Sequence, residues 1–160
     1  MKKLRIYLDT SVISFLFADD APDFRQVTEA FFSTYASRYD LYASGVVLAE
    51  IDRMPDATKR AAMRECLAHC LVSIFNDGHR AEVERLAGLY VAKAIVPAAK
   101  TADALHVAYA VVHGMDILLS WNFRHLANVR KEALFASVNM EQGYRQPLRL
   151  LSPLEVEDER

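Results

Sequence analysis

Two cysteines in 160 residues, Cys66 and Cys70, leave no disulfide framework to hold this chain together; cysteine arithmetic makes them free core thiols. Adding His69 gives three candidate zinc ligands on two faces of one helix, which is no zinc site. The five glycines form no glycine-rich loop, which excludes a nucleotide-binding module built on one. No apolar run approaches the roughly 18 residues of a membrane span. Asp9 interrupts the stretch that would follow Met1-Lys2-Lys3 in a secretory signal, so a cytoplasmic protein without membrane contact is expected. Neither sign of charge dominates, since 19 Lys and Arg against 21 Asp and Glu give a net −2. Glu155 to Arg160 form a short acidic tail of four acids and one base. The remainder carries 18 basic and 17 acidic residues, or +1, so the body is neutral rather than basic. Internal repeats, linkers and low-complexity segments are absent.

What is present is a globular composition, 52% hydrophobic and 25% charged, of a length that reads as one domain over residues 1–160 with a real core. Apolar and β-branched runs predict strands at Leu4 to Leu8, Leu41 to Ala43, Leu71 to Phe75, Asp116 to Ser120 and Leu148 to Leu151. Helical spacing predicts helices at Ser11 to Phe17, Phe24 to Tyr39, Val46 to Arg53 behind a Ser44 cap, Pro55 to Ala68, Arg80 to Lys93, Ala102 to His113 and Arg130 to Met140. Gly114 is placed to close the Ala102 helix, and Asn122 to Leu126 reads as a helical turn. Strands alternating with helices predict an α/β fold on a parallel sheet.

In such a sheet, ligands gather outside the carboxyl ends of the strands. The stretch YLDTSVISFLF puts Asp9 there, with two hydroxyls behind it. Asp9 could cap the following helix, but Thr10 or Ser11 could do so instead and leave the carboxylate free. Glu50 is the one charge in GVVLAEI, where the competing role is a helix-surface charge. Asp103 opens TADALHVAYAVV, a stretch apolar on nearly all sides and therefore a buried helix; its competing role is an anion at the helix start. His106 shares its face and reads as a packed core histidine rather than a ligand. Asn122, in DILLSWNFRHL, follows a strand as Asp9 does, with capping as the competing role. Three acids and an amide offer oxygen alone, which suits Mg²⁺ or Mn²⁺ rather than zinc. Asp116 is no fourth acid. It opens the strand that Asn122 follows, and a rise of about 3.3 Å per residue puts it roughly 20 Å away.

In order along the chain, DTSV, VLAEI, ADALHVAYA and LLSWNF resemble the PIN-domain nucleases, and among them the VapC-type toxins. The resemblance runs from Leu4 to about Val156 and takes in NMEQGYRQPLRLLSPLEV. It implies a PIN-like three-layer fold, a parallel central sheet flanked by helices. It also implies an endoribonuclease that uses Mg²⁺ or Mn²⁺ to cleave single-stranded RNA, the toxin of a type II toxin–antitoxin pair with an antitoxin as partner. Carried over, Asp9, Glu50 and Asp103 are metal-binding acids, and Asn122 stands where many members have an aspartate. Thr10, Ser11 and Ser120 become supports of those acids or phosphate contacts. Arg124, Arg130, Lys131, Arg145 and Trp121 are candidates for the RNA strand. Family members pair, and the Phe24 to Tyr39 helix offers apolar surface for a homodimer. The competing reading is an inert PIN fold that binds RNA or protein. A phosphatase with Asp9 as nucleophile would want a second acid at position 11, which is Ser11.

Overall fold

The computed structural model describes residues 2–157, so Asp158, Glu159 and Arg160 of the acidic tail lie outside the described residues. Its centre is β1 (Arg5–Leu8), whose Ile6, Tyr7 and Leu8 are wholly buried. Parallel partners are β2 (Asp40–Ala43) on one side and β4 (Ile117–Leu119) on the other. The short β3 (Ser73–Ile74) extends the sheet beyond β2, and β5 (Arg149–Leu151) extends it beyond β4. The order is β3-β2-β1-β4-β5, parallel throughout. The chain first winds to one side of β1 and then returns to the other. The switch in direction falls between the carboxyl ends of β1 and β4, where open α/β sheets bind ligands.

Alternation along the strands builds a core on each face. Tyr7, Ala43, Leu118 and Leu150 point to the larger one, which is closed by α3 (Gly45–Asp52), α4 (Ala57–His69), α5 (Arg80–Ala92), α6 (Thr101–Val112) and α7 (Val129–Glu141). Ile6, Leu8, Leu41, Ile117 and Leu119 point to the other, against α1 (Thr10–Ser14), α2 (Pro22–Ala30) and α8 (Pro153–Glu157). The predicted Phe24 to Tyr39 helix is helical but changes pitch, passing from α2 through a π turn at Phe31–Tyr35 into a 3₁₀ turn at Ala36–Arg38. Its apolar side chains turn inward. Phe31 is buried, Val27, Phe32 and Tyr35 pack on the second core, and Phe24 alone among them is an exposed large hydrophobic. The dimer surface expected there is therefore largely used up by the fold.

Capping follows the sequence. The Ser44 hydroxyl accepts from Val46 N (3.2 Å) and the Asp56 carboxylate from Thr58 N (2.9 Å), while the Asn128 amide oxygen accepts from Lys131 N (2.7 Å). Cys66 and Cys70 are free, and burial with the neighbouring thiol pushes Cys66 up to about 12, so it stays a thiol. Four helices end in the same motif. Gly114 N bonds back to Val111 O and Met115 N to Ala110 O, and the pattern repeats at Leu71/Val72, at Ala94/Ile95 and at Gly143/Tyr144. It demands positive φ, taken by Gly114 (68°), Gly143 (87°), Leu71 (56°) and Ala94 (58°). A side chain in that region costs about 1–2 kcal/mol, part of which glycine returns as unfolded-chain entropy. Leu71 is 84% exposed and packs on nothing that its removal would open. Leu71→Gly and Ala94→Gly are each expected to raise stability by about 0.5–1 kcal/mol. The measurement is the urea midpoint at unchanged slope, and a lower midpoint would contradict the reading.

Candidate metal centre

Asp9 follows β1 and stands at the capping position of α1, yet its side chain makes no capping hydrogen bond. Instead Oδ2 receives the hydroxyls of Ser11 (2.8 Å) and Ser120 (2.6 Å). Oδ1 is left facing His106 Nε2 at 3.3 Å. Ser120 comes from the end of β4, and its oxygen also accepts from Asn122 N (2.9 Å). Ser11 likewise accepts from Trp121 N (3.0 Å). The two strand ends at the switch point are thus stitched together through the oxygen that anchors Asp9.

Glu50 reaches the same place from α3. Its Oε1 receives Thr10 Oγ1 (2.9 Å) and His106 Nε2 (2.5 Å), and Oε2 has no donor among the described residues. Asp103, in the first turn of α6, accepts the Asn122 amide N–H on Oδ2 (3.2 Å), with Oδ1 likewise free of donors. The pattern is common to Glu50 and Asp103: one oxygen is tied by a protein donor and the other is left to face the site. Asp9 has the same division, with the histidine on its second oxygen. Ligand atoms of Asp9, Glu50 and His106 lie within 4.8 Å of one another, a group that leaves out Asp103. Hard oxygens left without donors, converging at a strand switch point, fit a magnesium- or manganese-type ion.

His106 is the residue that sequence reasoning misjudged. It is completely buried, as expected of a core histidine, but it is built into the site. Carboxylates only accept, so Nε2 carries a proton toward Glu50. Its Nδ1 meets Tyr7 Oη at 2.7 Å, and Tyr7 Oη meets Ser44 Oγ at 2.7 Å. A fixed chain therefore runs from the cap of α3 through the central strand to Glu50. Two signals pointed to it: the shared face of Asp103 and His106, and a tyrosine hydroxyl in a wholly buried strand, which must find a partner.

The charges respond to one another. Burial disfavours ionised Glu50, but the hydrogen bond and charge of His106, with the Thr10 hydroxyl, outweigh it and hold the carboxyl below its usual range. Burial would also strip His106 of its proton, yet Asp9 above all, then Glu50 and Asp103, hold it above the ordinary histidine range. Asp103 goes the other way: burial and the nearby Asp9 charge raise it, and His106 and His125 only partly offset them.

The remaining candidates separate. Asn122 turns its amide N–H to Asp103 and uses Oδ1 to accept His125 N (3.1 Å), so the capping role and the contact with the acids coexist. Arg124 is exposed on the turn after Asn122, and among the described residues its guanidinium has no ion pair. Arg130 and Arg145 are exposed, while Lys131 donates to Ile95 O. Trp121 is 5% exposed, bonded through Nε1 to Thr28 Oγ1 (2.8 Å) and packed against Phe24 at 4.6 Å, so it is a core residue and not a stacking platform. Asp116 sits at the opposite end of β4, accepting Arg5 N (2.8 Å) and Gln146 Nε2 (3.0 Å). Accordingly Asn122→Asp, which keeps an acceptor for His125 N and adds a charge beside Asp103, is expected to tighten metal binding and to lower metal-free stability. Asp116→Asn is expected to leave metal affinity unchanged. Calorimetric metal titration checks both, and the reverse ranking would contradict the assignment.

A family model described as PIN domain matches residues 6–131, the span that holds Asp9, Glu50, Asp103, His106 and Asn122. Among solved structures the chain is similar to FitAcB from Neisseria gonorrhoeae, with a TM-score of 0.53 and 18% identity over 93% of this chain and 98% of that one. At that identity the likeness is one of fold. A search of the curated proteins finds no match. No helix among the described residues is long and apolar enough to cross a membrane. The matched span, the parallel sheet and the acids at its switch point agree: this chain belongs to the PIN domain family, a family of nucleases.

Proposed function

We propose that this protein is an endoribonuclease of the VapC type that cleaves single-stranded RNA with Mg²⁺ or Mn²⁺ held by Asp9, Glu50 and Asp103. The observation that carries the reading is the division of labour on the carboxylates, one oxygen tied by protein donors and the other turned to the site. A divalent ion there supplies an activated water and relieves charge on the phosphate. The chain's own residues do the rest. Ser11 and Ser120 fix Asp9, while Thr10 and His106 fix Glu50. Asn122 steadies Asp103 through its N–H rather than adding a fourth charge. His106 is committed on both ring nitrogens and takes no part as a general base. An antitoxin partner, a homodimer and a cytoplasmic location complete the reading. The dimer must use a surface other than the inward-turned Phe24 to Tyr39 segment, and light scattering distinguishes one chain mass from two.

The test is incubation of the purified protein with single-stranded RNA, duplex RNA and single-stranded DNA in Mn²⁺, Mg²⁺ or EDTA. Cleavage of single-stranded RNA only with metal is expected. The competing reading, an inert RNA- or protein-binding module, is favoured by the amide at Asn122 in place of an acid. Metal uptake and RNA binding without cleavage would decide for it.

A further inference from the structure

We propose that the cleft between α3 and α6 seats one nucleotide beside the scissile phosphate, with Arg53 on its phosphate and Tyr109 as a hydrogen-bond donor. The proposal rests on the reading of Asp9, Glu50 and Asp103 as a phosphodiester-cleaving centre. The cleft has a volume of about 460 Å³ and is open to solvent, and Glu50 forms part of its wall. A strand whose phosphate lies at Glu50 must place a neighbouring nucleotide on one side or the other, and this cavity is continuous with that point. Its walls match a nucleotide in chemistry. Val46 from α3 and Leu105 from α6 supply an apolar face for a base. Few but well-placed polar groups on an apolar lining are what such sites use.

Two unengaged donors set the class of ligand. The guanidinium of Arg53, at the carboxyl end of α3, makes no hydrogen bond or ion pair among the described residues, although its charge is close enough to act on Glu50. The other arginine of the cleft, Arg80, is already committed to Glu84 at 3.0 Å and lies 3.9 Å from Asp77. Tyr109 is 4% exposed, its ring stacked on Phe75 with centroids 6.2 Å apart; its hydroxyl makes no hydrogen bond among the described residues and lies within the field of the Arg80 charge. A free guanidinium suits a phosphate, and a held phenol beside apolar walls suits a base edge or a ribose. A free cation also disfavours a basic protein segment as the occupant.

The experiment compares wild type with Arg53→Gln and Tyr109→Phe. Its probes are a fluorescent single-stranded RNA oligonucleotide made uncleavable by phosphorothioate linkages, read by anisotropy in Mg²⁺, and Mg²⁺ alone, read by calorimetry. Arg53→Gln is expected to weaken RNA binding about tenfold and Tyr109→Phe about threefold, with KM of the cleavable RNA rising in step. Metal affinity is expected not to weaken in either variant. Unchanged RNA affinity in Arg53→Gln, with wild type still binding metal and cleaving RNA, overturns the cleft and leaves the metal centre standing. RNA binding that is lost in Arg53→Gln, in a wild type that cleaves nothing, supports the cleft and overturns the nuclease reading. No RNA binding by wild type overturns both.

Discussion

In millimolar Mn²⁺ or Mg²⁺ the protein is expected to melt about 5–10 °C higher than in EDTA. Asp9, Glu50 and Asp103 gather at one switch point, where burial opposes the ionised forms of Glu50 and Asp103 and a protonated His106 is the buried cation that balances them. An ion bound only by the native state stabilises by mass action, about 2.7 kcal/mol at one hundred times its dissociation constant. For a chain of this size each kcal/mol is worth roughly 2–4 °C. The shift should reverse on chelation and be smaller at low pH, where the acids hold protons in place of metal. Melting curves that superimpose across the metal series would remove the ion from the account.

Asp103→Asn is the second large effect. The substitution keeps the shape and the acceptor for the Asn122 amide while removing a charge that faces the site. RNA cleavage is expected to fall on the order of 10²–10³-fold, the usual consequence of deleting one transition-state electrostatic contact. The same variant, free of metal, is expected to be more stable than wild type at neutral pH. The sign follows from the direction of the shift. Asp103 is raised in the folded protein by burial and the Asp9 charge, so folding binds its proton more tightly than the unfolded chain does. Ionising it therefore costs stability above its folded-state value, and lowering the pH through that range recovers the loss. The advantage of Asp103→Asn should accordingly shrink in acid. Urea midpoints in EDTA at neutral and acid pH check this, and full cleavage activity would dismiss Asp103 from the site.

The legible part of this protein is the part where one physical requirement dominates. Apolar runs too short for buried helices became strands, the central β1 and β4 buried on both faces, and Asp9 ended β1 without a local reason to be there. Ser44 and Gly114 were readable because capping and positive φ each favour few residue types. Leu71 and Ala94 adopt the same left-handed ending as Gly114, and nothing in their identity announces it, since tertiary packing imposes the conformation against preference. The pitch changes after Ala30 escaped for a related reason, because apolar spacing alone does not distinguish an α turn from a π turn.

The site was legible as a set of acids but not as a network. His106 satisfies both descriptions, core residue and member of the centre, and burial alone does not separate them. Its role comes from Tyr7 and Ser44, which lie far from it in sequence: the parallel pairing of β1 and β2 brings those two together, and α6 packing on that face of the sheet brings His106 to them. Asn122 shows the same limit. Its residue type suggested an oxygen donor, whereas the turn that follows takes that oxygen and leaves the N–H for Asp103.

The most direct measurement of the central claim is a calorimetric titration of Mn²⁺ into the metal-free protein, run in parallel on Asp9→Asn. Asp9 is the acid held by both strand ends, so its charge should matter most to the ion. Saturable uptake of one firmly held ion by wild type, weakened by an order of magnitude or more in Asp9→Asn, is the expected result. Equal binding by the two proteins, or no saturable binding by wild type, would contradict it.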